Sequence, residues 1–523
     1  MVGEDAQRQP LTVLHWGVLA LAAAAYVVCG ALYIYRTSFV WDSERVFCLW
    51  DDGMIAMHYA RNLARGDGLV WNPGQPPVQG FTNLGVTLVM TLVHWLPVGT
   101  NRAALVFQAL NLALLTATVG YVFGLARRVA PSAPSVAFAA TLATMACAPL
   151  GVWALQGADT GFVALWLTST LYAAAHPRQR WPIWLYAWMG LGLLIRADVA
   201  LLYGVVGACF AVGSRRRAAG LALVLVAVLS GIVALNQGYY DDPLPNTYYL
   251  KATGSPRALV LQSGWSQLQS WLPWLVPALG AGGLAVSRRR DKPPLVAAAA
   301  VVMVALVYTV WVGGDWAPQW GNRFFAPTLP LLFVLSAMGL HPLVERAFVD
   351  WTAVSRSWAL GLAATALAAF GNPSRASKEW FSTDEPTMYR SYNARNHERA
   401  MYLAAHTDAQ TVVAVQWAGV PIYFSDRPAV DVLGKSDRHI AKMTVTRFSP
   451  GHSKWDWDYI LGTRKPDVLL TRSRGLGAQP LFQTEYVVVV DGELELFIRR
   501  DALSKLHAPH ATVHDVAGEN LAP

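Results

Sequence analysis

The chain has 523 residues, of which 54% are hydrophobic and only 14% are charged, and its mean hydropathy is +0.32. This composition is too apolar for a soluble enzyme of this size and indicates a polytopic membrane protein. A net charge of +8 could suggest nucleic acid, but the arginines cluster between hydrophobic segments, where membrane topology explains them. We therefore expect a lipid bilayer as a partner and no nucleic acid.

Apolar segments run through the first 371 residues. Residues 11–35 are too long for a signal-peptide core and predict a retained first span. We interpret 81–98 as an interfacial or re-entrant helix, because counting it as a span would put basic loops on alternating sides of the membrane. With this interpretation, about 11 transmembrane helices are predicted from the other apolar runs, which are 103–126, 133–155, 160–175, 181–195, 199–213, 218–236, 270–286, 294–312, 326–345 and 355–371.

The basic runs fall on one side of this arrangement. They are Arg127 with Arg128, residues 176–180, Arg215–Arg217, residues 288–292, and Arg346. The positive-inside rule makes that side cytoplasmic, together with the amino terminus, in a plasma (inner) membrane. The extracytoplasmic face then collects the polar loops, which are 36–80, 156–160, 196–198, 237–269, 313–325 and everything after about residue 372. We expect the active site on that face.

The sequence pattern of the tail differs from that of the rest of the chain. Strand-like segments at 411–418, 466–472, 486–490 and 493–500 are separated by turn residues. We predict two domains: a transmembrane domain at 1–372 and a small extracytoplasmic α/β domain at 373–523.

Two adjacent carboxylates, Asp51 and Asp52, stand just beyond the first hydrophobic helix. Carboxylates near a bilayer carry a desolvation cost. The pair is therefore either part of a solvated loop or a working acid/base or cation site.

Five motifs on the predicted outer face resemble the membrane glycosyltransferases of the GT-C class. The similarity is greatest to the mycobacterial terminal β-(1→2)-arabinofuranosyltransferase family. The acidic pair is followed by Tyr59–Leu63, Gly66–Val70, Asn72–Gly74 and Gly80–Asn83 in the order of that family. Further matches are ALQGADTGF at 154–162, LIRADVALL at 194–202, DDPLPNTYYLKATG at 241–254, VGGDWAPQWGNRFFAPTLPLL at 312–332 and VDVLGKSDRHIAK at 430–442 with PGHSKWDWDYI at 450–460.

The resemblance implies a mainly α GT-C fold and a polyprenyl-phosphate-sugar donor. Transfer to a hydroxyl needs a carboxylate base, for which Asp51 and Asp52 are the candidates, and the leaving phosphate needs fixed cations. The candidates for that second role are Arg196, Lys251 and Arg323. Where the family carries Glu and Pro-Glu, this chain has Asp159 and Ala197–Asp198, so the acidic groups reach less far.

The remaining candidates could contact substrate. Structural alternatives stay open for several: a turn at Asp241–Pro245, a helix end at Gly313–Asp315, and surface positions for the histidines. The predicted substrate-binding residues are Asn83, Asp159, Asp198, Asn246, Tyr248, Tyr249, Asp315, His439 and His452.

A divalent cation held by Asp51, Asp52 and Asp315 is left open, because their spacing matches no established metal signature. The leading function is an inverting transferase that moves arabinofuranose, for example from decaprenyl-phosphate-arabinose, to a cell-envelope glycan. Two alternatives are a transferase with a protein acceptor such as pilin, and a lipid or solute transporter. A transporter would place charges in mid-membrane, whereas here they gather at one surface.

Overall fold

The computed structural model describes residues 11–176, 181–289, 291–470 and 475–516. Most of the predicted basic segment 176–180, and Arg290, lie outside these residues. Helices dominate the described part. In chain order the first nine are α1 (Val13–Thr37), α2 (Asp51–Arg65), α3 (Leu84–His94), α4 (Thr100–Val129), α5 (Pro134–Met145), α6 (Ala148–Leu155), α7 (Thr160–Ala174), α8 (Ile183–Ile195) and α9 (Val199–Ala211).

The second half of the chain adds further helices and most of the strands. The helices are α10 (Arg215–Tyr240), α11 (Asn246–Ala252), α12 (Arg257–Arg288), α13 (Pro293–Trp311), α14 (Leu329–Ala347), α15 (Ala353–Phe370), α16 (Ser374–Phe381), α17 (Met388–His406), α18 (Val420–Ser425), α19 (Arg438–Lys442) and α20 (Pro480–Glu485). The strands are β1 (Phe39–Trp41), β2 (Glu44–Val46), β3 (Val413–Val415), β4 (Ala429–Asp431), β5 (Val468–Leu469), β6 (Tyr486–Asp491), β7 (Leu494–Arg499) and β8 (Thr512–Asp515).

Six of the described helices are long and apolar enough to cross a membrane, namely α1, α4, α10, α13, α14 and α15. A seventh span results if α5 and α6 count as one. The prediction of a mainly α polytopic membrane protein is confirmed, whereas about 11 spans stays a prediction, since α7, α8 and α9 are apolar but shorter. Helix α3 has 11 residues and extends only about 16 Å, half the hydrocarbon thickness, which supports its interfacial or re-entrant interpretation.

The predicted apolar run 133–155 is two helices rather than one. Helices α5 and α6 meet at an angle of 49° across Ala146 and Cys147. Pro149 explains the break, because it has no N–H to donate to the carbonyl of Met145 and its ring collides with that carbonyl.

Helix α12 begins at Arg257, although the sequence predicted an outer loop through residue 269. Two of its polar side chains bond to the loop that follows α13, so these residues have partners within a helix. The Ser263 hydroxyl donates to the Gly313 carbonyl at 2.9 Å. The Gln267 amide donates to the Asp315 carbonyl at 2.7 Å and accepts from the Asp315 N–H at 2.8 Å.

The tail contains the predicted sheet, with two strands that the sequence did not indicate, β4 and β8. The strand order is β4-β3-β5-β7-β6-β8. Strands β4, β3 and β5 are parallel, and the remaining pairs are antiparallel. Because β3 and β4 are parallel neighbours, the residues that follow them lie at one edge of the sheet.

The tail packs closely on the helical bundle. Arg36, near the end of α1, donates to the backbone carbonyls of Glu379 and Glu385. The Trp320 indole donates to the Glu379 carboxylate at 2.8 Å. The division at residue 372 therefore stays a prediction.

Helices α12 and α14 cross at Gly339, where a Cβ would lie 1.7 Å from the Ala281 carbonyl oxygen. We expect Gly339→Ala to lower the stability of the purified protein by about 3 kcal/mol, because the helices must separate to admit the methyl group. Gly283→Ala on α12 is the matched control, since a Cβ there has nothing within 4 Å, and it should be neutral or slightly stabilising. Thermal unfolding in detergent compares the two; equal midpoints would contradict this account of the crossing.

Candidate active site

Asp51 and Asp52 are the first two residues of α2, preceded by Trp50 in an extended conformation. The free N–H groups of a helix N-terminus favour negative charge at this position. Trp50 fixes the start of the helix by donating its N–H to the Gln156 carbonyl at 3.0 Å. Gly53, which follows Asp52, also packs on the Gln156 carbonyl. A Cβ at Gly53 would lie 3.1 Å from the oxygen of that carbonyl. The carboxylates are therefore held by tight backbone packing.

The Asp51 carboxylate is buried and bonded on both oxygens. One oxygen accepts from the Gly419 N–H at 2.9 Å, and the other lies 3.1 Å from the Lys435 Nζ. A Cβ at Gly419 would lie 2.5 Å from the Asp51 carbonyl oxygen, so only glycine permits this approach. Asp51 therefore joins the bundle to the tail, and both of its oxygens already have a partner.

Asp52 faces two cations and remains partly open. Its oxygens lie 2.7 Å from the Lys435 Nζ and 2.9 Å from the Arg323 Nη1, and 27% of its side chain is exposed, against 7% for Asp51. Burial disfavours ionisation of Asp52, but the charges of Lys435, Arg323 and Lys251 prevail and hold the pKa of its carboxyl well below the usual value. Asp52 is the carboxylate that a substrate can reach.

Asp315 fixes Arg323 rather than facing open space. The helix end predicted at Gly313–Asp315 is present, since α13 stops at Trp311 and both glycines have positive φ. The Asp315 carboxylate accepts from the Trp316 and Arg323 N–H groups at 2.9 and 3.2 Å. The Arg323 guanidinium also lies over the Trp50 ring, 4.5 Å from its centroid. The contacts with Asp315 and Trp50 thus hold the Arg323 guanidinium in its orientation toward Asp52.

A cavity of about 450 Å³ lies beside Asp52. Its lining is mostly apolar, and the polar part contains nine of the residues already discussed or predicted. These are Asp52, Asn83, Asp159, Arg196, Asp198, Tyr248, Lys251, Arg323 and Lys435. The three predicted phosphate-binding cations therefore line one space with the acidic candidate.

Arg196 is already neutralised in this space. Its guanidinium lies 3.0 Å from the Asp159 carboxylate and is also bonded to Asp198. Both carboxylates therefore act on the arginine itself. The predicted phosphate role of Arg196 has less support than those of Lys251 and Arg323.

Lys251 lies near the end of α11 and lines the large cavity. Within the described ranges no carboxylate lies within 4.0 Å of its ammonium group, in contrast to Lys435. Burial and the charge of Arg323 lower the pKa of Lys251 to about 8. A half-buried cation with no carboxylate in contact is suited to receive an anion.

Besides Asp315 and His452, three more predicted substrate-binding residues lie outside the large cavity. The Asn246 amide donates to the backbone carbonyls of residues 434, 435 and 437 at 2.9 to 3.1 Å, so it positions the Lys435 loop. The Tyr249 hydroxyl donates to Asp242 at 2.6 Å. His439 pairs with Asp456 at 2.8 Å on the exposed surface. Contact with the large cavity is therefore unsupported for these three.

His452 lies near the carboxylates in a different, smaller recess, which it lines with Asp51 and Asp52. Sequence reasoning missed Lys435, although it stands in the quoted motif VDVLGKSDRHIAK. A lysine between two turn residues gives no local signal of its carboxylate partners. Its place in the loop after β4 gave no signal either, because the sequence did not indicate that strand.

The metal prediction stays untested. Among the residues that the structure describes, no group of three His, Cys, Asp or Glu side chains is arranged to hold an ion. Asp51, Asp52 and Asp315 each face Lys435 or Arg323 instead. Ammonium and guanidinium groups occupy the positions around these carboxylates.

Comparison with known proteins finds similarity both in the tail and over most of the chain. A family model described as a domain of unknown function (DUF8728) matches residues 387–512. The chain is 24% identical over 439 residues to the terminal β-(1→2)-arabinofuranosyltransferase of Mycobacterium tuberculosis, covering 73% of this chain and 66% of that protein. It is 25% identical over 393 residues to the Corynebacterium glutamicum protein of the same name, covering 64% of this chain and 55% of that one. The chain thus matches less than two thirds of the length of these relatives.

Solved structures share the fold. ArnT from Cupriavidus metallidurans bound to undecaprenyl phosphate superposes with a TM-score of 0.58 at 15% identity, covering 93% of this chain and 98% of that one. The oligosaccharyltransferase AglB from Archaeoglobus fulgidus, in complex with an inhibitory peptide and a dolichol-phosphate, gives 0.54 at 12% identity, covering 80% and 64%. The predicted resemblance is confirmed: this membrane protein has the GT-C fold of ArnT and AglB and is similar in sequence to terminal β-(1→2)-arabinofuranosyltransferases.

Proposed function

We propose that the chain is an inverting glycosyltransferase that takes a sugar from a polyprenyl-phosphate donor. The observation that carries this proposal is the position of Asp52, which lines the same cavity as the guanidinium of Arg323 and as Lys251, a cation that no described carboxylate contacts. A carboxylate next to cations that could hold a phosphate is the arrangement that sugar transfer from a lipid phosphate requires.

The cavity suits a lipid-linked donor. Its lining is mostly apolar, and its cations Lys251 and Arg323 lie close enough for their charges to interact. The ArnT structure holds undecaprenyl phosphate and the AglB structure holds a dolichol-phosphate, which supports a polyprenyl phosphate here. The likeness to the two arabinofuranosyltransferases favours arabinofuranose as the sugar.

Asp52 is the general base in this proposal, and Asp51 positions Lys435. The acceptor hydroxyl gives its proton to Asp52 while the hydroxyl oxygen forms a bond to the anomeric carbon. At the same time the bond from the anomeric carbon to the phosphate oxygen breaks. The phosphate leaves with the electron pair, and Lys251 and Arg323 stabilise its charge. Direct displacement inverts the anomeric centre.

The donor also prepares the base. In the free protein the low pKa of Asp52 makes it a weak proton acceptor. A phosphate bound at Lys251 and Arg323 places negative charge near Asp52 and offsets the cations, which raises its pKa. The base therefore gains strength when the donor is present.

Two acceptor classes fit this scheme. A cell-envelope glycan follows from the relatives named as arabinofuranosyltransferases. A protein acceptor is the second candidate, because a structure of the Archaeoglobus fulgidus oligosaccharyltransferase, with the same fold, is tethered to an acceptor peptide.

The extracytoplasmic location is part of the proposal. Helices α4 and α14 end near arginines, Arg127 with Arg128 and Arg346, and α10 begins at Arg215–Arg217. The opposite ends of α10 and α14 lead to Lys251 and Arg323. This separation of basic ends from the site supports a cytoplasmic amino terminus and a site on the other side.

Single cysteines at Ser214 and Ser255 test this topology. Ser214 caps the basic end of α10, whereas Ser255 lies beyond α11 on the side of the site. In intact cells a membrane-impermeant thiol reagent should label the cysteine of Ser255→Cys and spare that of Ser214→Cys until the cells are opened. The reverse pattern would contradict the proposed orientation.

Asp52→Asn should lower kcat by about 100-fold or more, because the amide cannot accept the proton, while donor affinity stays within a few fold. Asp241→Asn is the matched control, since Asp241 is exposed near the same face and Asn tolerates its positive φ. Turnover is measured with a panel of polyprenyl-phosphate sugars and a short arabinan acceptor. Full turnover by Asp52→Asn with every donor that the wild type uses would overturn the assignment of the base.

Donor affinity should fall as the pH rises above about 8, because Lys251 then loses the charge that attracts the phosphodiester. The loss should approach tenfold per pH unit. Lys251→Arg should abolish this dependence, and Lys251→Gln should bind weakly at every pH. Binding of a labelled polyprenyl-phosphate sugar between pH 6.5 and 9.5 measures the effect; the same inflection in Lys251→Arg would remove Lys251 from the donor site.

A further inference from the structure

A narrow recess of about 30 Å³ opens beside Asp51 and Asp52. It shares Trp50, Asp52 and Lys435 with the large cavity and no other lining residue, so the two spaces adjoin at Asp52. We propose that this recess and Trp417 form an acceptor subsite that takes a saccharide, whose ring stacks on the Trp417 indole. The inference rests on the proposed function, with the large cavity as the donor site.

The size of the recess limits what can enter it. The recess is much smaller than the large cavity, about 30 Å³ against about 450 Å³. We therefore expect one hydroxyl group of the acceptor to enter it, with the sugar ring at the mouth on Trp417. The recess therefore admits the group that reacts and keeps the rest of the acceptor outside.

Trp417 offers a flat and rigid surface at this point. Its ring stacks on Tyr392 with centroids 5.4 Å apart and planes at 20°, and Trp316 meets its edge at 6.1 Å. Trp417 is only half-buried, and Tyr392 is 36% exposed. An indole held on one side by another ring has little conformational entropy to lose, which favours stacking of the apolar face of a sugar.

The polar groups around the recess suit hydroxyl donors. The His452 Nδ1 lies 2.9 Å from the Pro450 carbonyl, which can only accept, so Nδ1 carries the proton and Nε2 is an acceptor. Burial, with the nearby charge of Lys435, lowers the pKa of His452 and favours the neutral ring. Asp52 provides carboxylate oxygen at the same recess. Hydroxyl groups of a saccharide could donate to both.

The fold explains why these residues meet. Gln416 and Trp417 follow β3 directly, and Lys435 belongs to the loop after β4. The two strands are parallel neighbours, so both loops lie at the carboxyl edge of the sheet. That edge is where open sheets containing parallel strands bind their ligands. The tail thus contributes the acceptor side of the site, and the bundle contributes the donor side.

The test is direct binding of a short arabinofuranosyl oligosaccharide to the full-length protein, measured by saturation-transfer NMR without donor. We expect Trp417→Ala to weaken binding at least tenfold and Trp417→Phe to weaken it less, because phenylalanine keeps an aromatic face. Trp351→Ala is the matched control, since Trp351 is 49% exposed in the connection between α14 and α15. It should bind like the wild type, and thermal unfolding confirms that each variant is folded.

Equal binding by Trp417→Ala and the wild type would overturn the subsite. The subsite would also be overturned if the wild type bound no oligosaccharide, or if it bound a Ser/Thr peptide instead of the oligosaccharide. Binding that depends on Trp417 without transfer from any donor would instead sustain the subsite and count against the proposed glycosyltransferase. The two failures are therefore distinguishable.

Discussion

The contact between the Lys435 ammonium and the carboxylates of Asp51 and Asp52 is the interaction on which the site depends. Two adjacent carboxylates with little access to water repel each other, and one of them would take up a proton unless a cation lay between them. Lys435 lies 3.1 Å from one and 2.7 Å from the other. Because Lys435 belongs to the tail and the carboxylates to α2, the same contact holds the two parts of the molecule together.

Charge balance around this contact distinguishes the roles of neighbouring groups. Lys435 is committed to two carboxylates, and Arg323 is divided between Asp52 and Asp315. Lys251 differs from both, because the described part of the chain gives it no carboxylate partner. Among the described residues of the site the carboxylates are therefore compensated while Lys251 is not, which is the state expected of a site that awaits an anionic ligand.

Sequence alone could predict the features that depend on residues close together in the chain. The apolar runs gave the membrane class, alternating segments gave most of the tail sheet, and Gly313 with Gly314 marked the end of α13. The pair of Asp51 and Asp52 was identifiable because the residues are adjacent. Lys435 was not identifiable, since it meets Asp52 across 383 residues of sequence and only the fold brings them together.

The misplaced candidates have a similar physical origin. Asn246 and Tyr249 have side chains that suit a sugar, but the same donors are used to satisfy backbone carbonyls and a carboxylate in the folded chain. Residue type indicates what a group can bind, whereas the partner it finds depends on which loops pack against it. Helix α12 shows the same effect, because Ser263 and Gln267 are polar residues of a helix that bond to a neighbouring loop.

The order of the chain has a consequence for biosynthesis. A ribosome makes the acidic pair 383 residues before the lysine that compensates it, a delay of roughly 20 to 80 s at ordinary elongation rates of about 5 to 20 residues per second. During that interval the nascent bundle carries two crowded acids with no counterion from the tail. A competent centre therefore cannot assemble before Lys435 has been made, and a product terminated before that residue would lack it.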